Sequence, residues 1–295
     1  MGTDNPNPEP RNPKPLTVLT YHALVERAED LARFPPATRL YVFTLDEFRR
    51  QLDHLAAAGL ATVSMADFLR WRQGALELPP RAVILSFDDG HRSNATLALP
   101  ELARRGQRAI FFVTAGRIGT EESVTWDDLR AMLGAGMEVG SHTLTHPTPS
   151  ALPPEALRHE LAESKRVLEE GLGRAVDFVA SPTGYDSRHF ARLACEAGYK
   201  AALQGVIGRN TRSTDLFALR RIVLKRSHSL ELFRRLVEPG SRAYVPLRAK
   251  QALRNALRRV VGPRWYERLR RSFLGTWEAP NPKHEAPNDS RGQPT

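Results

Sequence analysis

The chain has 295 residues, of which 41% are apolar, enough for one large packed domain or two small ones. Its single cysteine, Cys195, excludes a disulfide framework and a cysteine-based metal site. No run of 18 apolar residues occurs, which argues against a transmembrane span. Because Met1 to Pro15 contains five prolines and no apolar stretch, we expect no secretory signal peptide there and a cytoplasmic protein.

The net charge of +10 is concentrated in the C-terminal part of the chain. Residues 240–295 contain twelve Lys or Arg and four acidic residues, which leaves a charge of only +2 for residues 1–239. Ten of the basic residues lie within 242–271, where leucines and valines recur at helical spacing. This pattern predicts a basic amphipathic extension at 240–277, which either contacts an anionic membrane or packs its apolar side on the preceding domain.

The middle of the chain alternates between two kinds of pattern. Eight short apolar runs are typical of buried strands, at 16–21, 61–64, 82–87, 109–113, 137–141, 177–180, 201–203 and 221–225. Five helical patterns lie between them, at 44–58 after a capping box, 65–73 after Ser64, 126–135 after Thr125, 154–172 after Pro153, and from Ser187 to near Gly198. This alternation predicts a parallel sheet closed into a barrel over residues 16–239. Residues 1–15 and 278–295 lack apolar periodicity and are predicted to be disordered.

Two segments carry the residues suited to metal chemistry. Ser86-Phe87-Asp88-Asp89-Gly90 follows one predicted strand, and Ser141-His142-Thr143-Leu144-Thr145-His146-Pro147 follows another. Two histidines and one carboxylate form a hydrolytic zinc ligand set that leaves positions free for water and substrate. A single helical turn would place His142 and His146, four residues apart, on one side. One aspartate of the pair could bind the metal while its neighbour remains free to act as a base.

Together and in this order, the two segments resemble those of the polysaccharide deacetylases with a NodB-homology domain, carbohydrate esterase family 4. The resemblance covers residues 16–239. It implies a distorted (β/α) barrel, usually of seven strands, so the fold expected here is a NodB-like barrel of seven or eight strands with a basic helical extension. It also implies a divalent metal, with zinc favoured, held by Asp89, His142 and His146, and Asp88 as the general base.

Ser181-Pro182-Thr183-Gly184-Tyr185 occupies the position of a further segment of the family. The resemblance assigns the backbone N–H of Thr183 to the oxyanion and makes Pro182 and Tyr185 candidate substrate contacts. The arginine that tunes the base in many members is absent, and Ser181 stands in its place. Phe34, Tyr41 and Trp126 are candidates for stacking on sugar rings or for packing within loops.

The general acid has two candidates. Many family members use a histidine at the end of a late strand, which corresponds to His228. His22 follows Leu19-Thr20-Tyr21 at the end of the first predicted strand, and a barrel is circular, so a permuted motif would bring this residue to the same place. Some exopolysaccharide deacetylases resemble that arrangement, and His22 is the favoured candidate.

The function that this resemblance implies is metal-dependent removal of N-acetyl groups from amino sugars of a polysaccharide or glycan. An alternative is deacetylation or deformylation of a lipid-linked sugar at the cytoplasmic membrane face, with peripheral membrane contact through residues 242–271. A second alternative, from another class, is an inactive carbohydrate-binding relative. Nucleic acid is not an expected partner, because no recognition motif accompanies the basic extension.

Overall fold

The structure is a computed structural model that describes residues 15–184 and 189–261. Within these residues the chain forms ten β-strands. The strands are β1 Thr17–Tyr21, β2 Leu24–Val25, β3 Phe43–Thr44, β4 Ala61–Thr62, β5 Ala82–Phe87, β6 Ile110–Val113, β7 Glu138–Ser141, β8 Phe178–Ala180, β9 Ala201–Leu203 and β10 Ile222–Val223.

The same residues form nine α-helices, most of which connect successive strands. They are α1 Pro36–Arg39, α2 Leu45–Ala57, α3 Met65–Arg72, α4 Leu99–Arg104, α5 Trp126–Gly134, α6 Pro154–Leu172, α7 Phe190–Glu196, α8 Leu230–Val237 and α9 Val245–Val261. Three of them begin at the caps predicted from the sequence, because Thr44, Ser64 and Thr125 each accept a hydrogen bond from the backbone N–H three residues later. The capping box predicted at Thr44 is present, and Ser64 and Thr125 form capping boxes as well. A π-helical turn at Asn94–Ala98 leads into α4.

The main sheet is parallel and curled, in the order β10-β1-β5-β6-β7-β8-β9. The strand β5 pairs with β1 along its length, while its other edge is shared by β4 at Ala82 and Val83 and by β6 at Ser86 and Phe87. A parallel bridge between Leu203 and Leu219 joins β9 to the segment before β10 and brings the two ends of the sheet together. The predicted NodB-like (β/α) barrel is therefore confirmed.

Alternate side chains of the strands divide the core into an inner and an outer part. The inner cluster contains Val18, Ile84, Ile110 and Phe112 from successive strands, and side chains of α3 pack into it. The outer clusters lie between the sheet and the remaining helices. All strand residues from Val83 to Phe87 are buried, as expected for a parallel sheet covered on both faces.

The small parallel sheet formed by β2 and β3 was not predicted, since two-residue strands leave no periodic signal. The helix α9 begins within the predicted extension, while residues 262–277 and both segments predicted to be disordered lie outside the described residues, apart from Pro15. None of the helices in the described part of the chain has the length and apolar composition needed to cross a bilayer.

Candidate active site

Polar side chains follow the C-terminal ends of four strands of the barrel. Asp88 and Asp89 follow β5, His142 follows β7, Ser181 follows β8, and His22 follows β1. Because all of these strands are parallel, their C-terminal ends lie at one end of the barrel, where barrel enzymes place their catalytic groups. The barrel thus brings together residues that are up to 159 positions apart in the chain, counted from His22 to Ser181.

Asp89, His142 and His146 form a cluster that fits a metal ion. Their ligand atoms all lie within 4.8 Å of one another, and Asp89 Oδ1 is 3.2 Å from His146 Nε2 and 3.4 Å from His142 Nε2. Asp89 Oδ1 is buried without a hydrogen-bond partner among the described residues. An orphaned carboxylate oxygen facing two imidazole nitrogens is the arrangement expected of a divalent-cation site.

The ring of His142 is held in the orientation and tautomer that metal binding requires. Its Nδ1 lies 2.9 Å from the carbonyl oxygen of Ala180, and because a carbonyl only accepts, Nδ1 carries the proton. Nε2 therefore keeps its lone pair and faces Asp89. Burial lowers the pKa of His142 to about 4, against a raising effect of Asp88, so the ring is neutral at pH 7.

Asp89 is held in its charged form by the same cluster. Burial alone would raise the pKa of this carboxyl, but the electrostatic influence of the nearby imidazoles of His146, His22 and His142 outweighs it. The pKa of Asp89 consequently lies well below its usual range. A carboxylate that stays ionised beside neutral imidazole is ready to bind a cation.

The backbone at the site adopts conformations that side chains rarely tolerate. Asp89, Thr143, His146 and Thr183 have φ values of 73°, 66°, 63° and 60°, and they are the non-glycine residues with positive φ in the described part of the chain. After Asp89, Gly90 also has a positive φ, and a Cβ there would lie 2.8 Å from Cγ1 of Val113. Strain of this kind persists where surrounding contacts enforce it, and it clusters at functional sites.

The turn that carries the two histidines is not helical, so the predicted helical turn is wrong. The positive φ values of Thr143 and His146 reverse the chain after β7 and bring the two rings to a centroid distance of 5.0 Å. The Glu160 carboxylate on α6 fixes this turn by accepting hydrogen bonds from the backbone N–H groups of Leu144 and Thr145, both at 2.9 Å. An acidic side chain of the next helix thus replaces the helical hydrogen bonds that were expected.

Asp88 is buried and paired with an arginine that sequence reasoning missed. Arg221, just before β10, donates from Nη1 to Asp88 Oδ2 at 2.5 Å and from Nη2 to the carbonyl oxygen of Ser181 at 2.8 Å. Asp88 and Arg221 are each only 2% exposed. Asp88 therefore has an arginine partner, which comes from the segment before β10 and not from position 181. No local sequence signal distinguishes such an arginine from others.

The segment after β8 lies against the same arginine. Ser181 is buried, and its carbonyl oxygen accepts the Arg221 hydrogen bond, which links this loop to the base. Pro182 is buried and Thr183 is exposed, with the positive φ noted above. Tyr185, a predicted substrate contact, lies outside the described residues.

His22 lies beside the metal cluster and is oriented by its neighbours. It is one of the groups near the Asp89 carboxyl, and its carbonyl oxygen accepts a 2.7 Å hydrogen bond from Asn94 Nδ2. The ring stands against Tyr41 at a centroid distance of 5.1 Å, and the Lys225 ammonium lies 5.6 Å from the same Tyr41 ring. Nδ1 of His22 is buried without a hydrogen-bond partner among the described residues.

His228, the other candidate acid, lies in a separate setting. Its Nδ1 accepts a 3.3 Å hydrogen bond from the backbone N–H of Lys225, and its ring lines a cavity with Phe43 and Arg50 of the β3–α2 region. Burial, followed by the charge of Lys225, lowers the pKa of His228 to about 4. His22 directly follows β1, the strand paired with β5 that carries the aspartates, whereas His228 lies five residues beyond the end of β10.

Unpartnered polar atoms mark the interior of the site. Within the described residues, Asp88 Oδ1, Asp89 Oδ1, His22 Nδ1 and Thr114 Oγ1 are buried without a hydrogen-bond partner. Thr114 follows β6 and continues the inward-facing series of Ile110 and Phe112, which places it between the strands of the aspartates and of His142. Buried polar groups in native proteins find partners, so this cluster indicates where bound water, metal or substrate belongs.

Comparison with known proteins identifies the class to which this site belongs. Residues 75–202 match the family model described as polysaccharide deacetylase. The YxkH protein of Bacillus subtilis, named as a presumed polysaccharide deacetylase, is 23% identical over 210 residues, 71% of each chain. The chitooligosaccharide deacetylase of a Bradyrhizobium species is 30% identical over 123 residues, which cover 41% of this chain and 54% of that protein.

Among solved structures, the Streptococcus pyogenes deacetylase PplD in complex with acetate superposes with a TM-score of 0.69. The match has 24% identity and covers 77% of this chain and 100% of PplD, so it supports the fold. The resemblance found in the sequence is confirmed, since residues 75–202 match the polysaccharide deacetylase family model. The relatives are named as deacetylases, which indicates a hydrolase that acts on carbon–nitrogen bonds other than peptide bonds.

Proposed function

We propose that this protein is a metal-dependent deacetylase that removes N-acetyl groups from amino sugars of a glycan. The observation that carries the proposal is the convergence at one barrel end of the Asp89–His142–His146 cluster with the buried Asp88–Arg221 pair. The ligand set of two imidazoles and one carboxylate favours zinc. When bound, the metal would supply Lewis-acid activation of a water molecule and of the acyl oxygen.

Asp88 has the environment of a general base. Its Oδ2 is engaged by Arg221, while Oδ1 is buried without a partner among the described residues and is available to take a proton. Arg221 fixes the carboxylate and supplies the opposite charge that a buried carboxylate requires. Asp88 would therefore remove a proton from the attacking water, whereas its neighbour Asp89 holds the metal.

Two further groups complete the proposed reaction. The backbone N–H of Thr183 would donate a hydrogen bond to the oxyanion that develops on the acetyl carbonyl. His22 would deliver a proton to the departing amine, and Asn94 and Tyr41 orient it for that role. Pro182 and Tyr185 remain candidate substrate contacts. The products are acetate and a free amino sugar.

A lipid-linked amino sugar is a second candidate substrate, with either an acetyl or a formyl group removed. The observation in its favour is α9, a basic helix that exposes apolar side chains and would suit a membrane surface. The inactive carbohydrate-binding relative finds less support, because the proposed base and three side chains that could hold a metal are present and close together.

Release of acetate or formate from a panel of substrates tests the proposal. The panel contains N-acetylated chitooligosaccharides, an N-acetylated glycolipid and its N-formyl counterpart, each incubated with the full chain. We expect release from at least one of them, loss of release after chelation, and recovery on addition of zinc. The Asp88→Asn variant serves as the matched control for contaminating activity. A zinc-loaded protein that releases neither acid from any substrate would favour the inactive relative.

A further inference from the structure

The helix α9 exposes apolar side chains to an unusual degree for this molecule. Of the four large hydrophobic residues that are exposed within the described part of the chain, three lie on α9. Leu253 is 72% exposed, Leu257 52% and Val245 45%. At about 100° per residue, these three side chains fall within an arc of roughly 120° on one side of the helix.

The opposite side of α9 holds the helix on the barrel. Leu247 packs against the outer core, and Gln251 Oε1 accepts a 2.9 Å hydrogen bond from the backbone N–H of Ile207. The side-chain amide of Gln251 in turn donates to the carbonyl oxygen of Gly205 at 2.5 Å. One side of α9 therefore packs on the barrel, while the other side faces outward.

Basic side chains flank the outward face of α9 on both sides. Arg248, Lys250 and Arg254 are exposed, and none forms an ion pair with another described residue. By helical position, Lys250 and Arg254 flank the apolar arc on one edge and Arg248 on the other. From Val245 to Val261 the sequence contains five basic residues and no acidic residue.

We propose that the outward face of α9, formed by Val245, Leu253 and Leu257, docks on the surface of an anionic lipid bilayer. An anionic leaflet is the partner that matches both features, because its headgroups attract the flanking cations while its acyl boundary accepts the leucines. A second copy of the chain would present the same positive charge to this face and be repelled. Nucleic acid would match the charge but leave the leucines in water.

Vesicle co-sedimentation of the full chain tests the docking without reference to its enzymatic activity. The vesicles contain phosphatidylcholine alone or with about one third phosphatidylglycerol. We expect binding only to the anionic vesicles, weakened at high salt by screening. The double variant Leu253→Gln, Leu257→Gln should reduce partitioning at least about tenfold, because two buried apolar side chains are lost. The matched control is Leu40→Gln, which replaces the exposed leucine outside α9, 38% exposed, and should bind as the unaltered chain does.

Several results would overturn the proposal. One is an unaltered chain that does not sediment with anionic vesicles, and another is a double variant that binds them as tightly as the unaltered chain. A third is a double variant that melts at a lower temperature or changes oligomeric mass while Leu40→Gln does not. That outcome would mean that another part of the chain or a second copy covers the leucines in solution. An unchanged melting temperature together with lost binding supports the bilayer.

Discussion

Arg221 places a positive charge in the buried interior of the barrel. Its guanidinium binds Asp88, the carbonyl oxygen of Ser181 and, through Nε at 3.2 Å, the carbonyl oxygen of Gln204. Three acceptors from three different parts of the chain thus converge on one side chain. An ammonium group lacks the planar fork that makes these contacts, so lysine is a poor substitute at this position.

The first prediction concerns this arginine. Arg221→Met should lower kcat by at least about 10²-fold, because the proposed base loses the group that fixes it, while the metal stays bound. The same change should destabilise the fold by about 3–5 kcal/mol, since it leaves a buried carboxylate unpaired. Both effects are measured on the purified variant, by acetate release, metal content and urea unfolding.

The chain offers a matched control for this experiment. Arg209 is also buried, at 5% exposed, and donates to the carbonyl oxygens of Leu236 and Glu238 away from the aspartates. Arg209→Met should lower stability but leave kcat of the folded protein unchanged. If Arg221→Met retained full kcat, the arginine would have only a structural role.

The second prediction separates the two candidate acids. His22→Ala should lower kcat on an N-acetyl amide by roughly 10²–10⁴-fold, the range expected for general acid catalysis. Its effect should be much smaller with an activated acetate ester, whose leaving group departs without a proton. His228→Ala should leave both activities largely intact. The opposite pattern, with the amide-specific loss in His228→Ala, would show that His228 is the general acid, as in the arrangement that many family members use.

At the scale of elements, the geometry of the candidate metal site depends on contacts between α6 and the turn that follows β7. The turn from Ser141 to His146 has no helical hydrogen bonds, and the Glu160 carboxylate supplies the partners for its backbone. The Ser141 hydroxyl also lies 2.8 Å from that of Ser164 on the same helix. The helix therefore acts as a rigid support that holds the two imidazoles at the distance a single ion requires.

The third prediction tests this support. Glu160→Ala should weaken metal affinity by about 10–100-fold, the usual cost of removing a group that orients the ligands. Glu163→Ala is the control, because Glu163 lies on the same helix and pairs with Arg166 at the surface. Competition with a chromophoric chelator measures both affinities. An affinity for Glu160→Ala equal to that of the control would mean that the turn keeps its shape without α6.

At the scale of the whole molecule, burial of histidines makes stability depend on pH. Burial lowers the pKa of His142 and of His228 to about 4 each, from an ordinary value near 6.5. The unfolded chain therefore binds protons at a higher pH than the folded protein. The stabilisation is complete above pH 6.5 and is lost as the pH falls toward 4.

The fourth prediction follows from the lowered pKa values of these two histidines. The urea midpoint of the metal-free protein should fall between pH 6.5 and pH 4, with His142 contributing about 3 kcal/mol to the decrease. The decrease should be smaller in His228→Gln, which removes one of the two groups. The urea midpoint of the zinc-loaded protein, in which zinc would bind His142, serves as the comparison. A midpoint that is flat over this range would contradict the burial of both rings.

Much of the framework could be predicted from the sequence because its signals are local. The strands β5 and β9 occupy the predicted residues, since each is an apolar run bounded by polar residues. The capping boxes at Thr44, Ser64 and Thr125 begin helices as expected, because each box satisfies its own backbone donors. The fold class followed from this alternation.

The supporting parts of the site could not be predicted in the same way. Arg221 is 133 residues away from Asp88 in the sequence, and only the closed barrel makes them neighbours. The turn of His142 and His146 depends on Glu160, fourteen residues beyond His146, so residue spacing alone suggested a helix that does not form. Thr114 has an ordinary local sequence, and its position in the site becomes apparent only from the orientation of β6.

The division of labour between the paired aspartates is the central claim, and metal content measured together with acetate release tests it most directly. Asp88→Asn should retain the metal but lose turnover, because Asp88 is the proposed base, whereas Asp89→Ala should lose both the metal and turnover. His142→Ala and His146→Ala should behave as Asp89→Ala does. An Asp88→Asn variant that loses its metal as completely as Asp89→Ala would contradict the assignment of base and ligand.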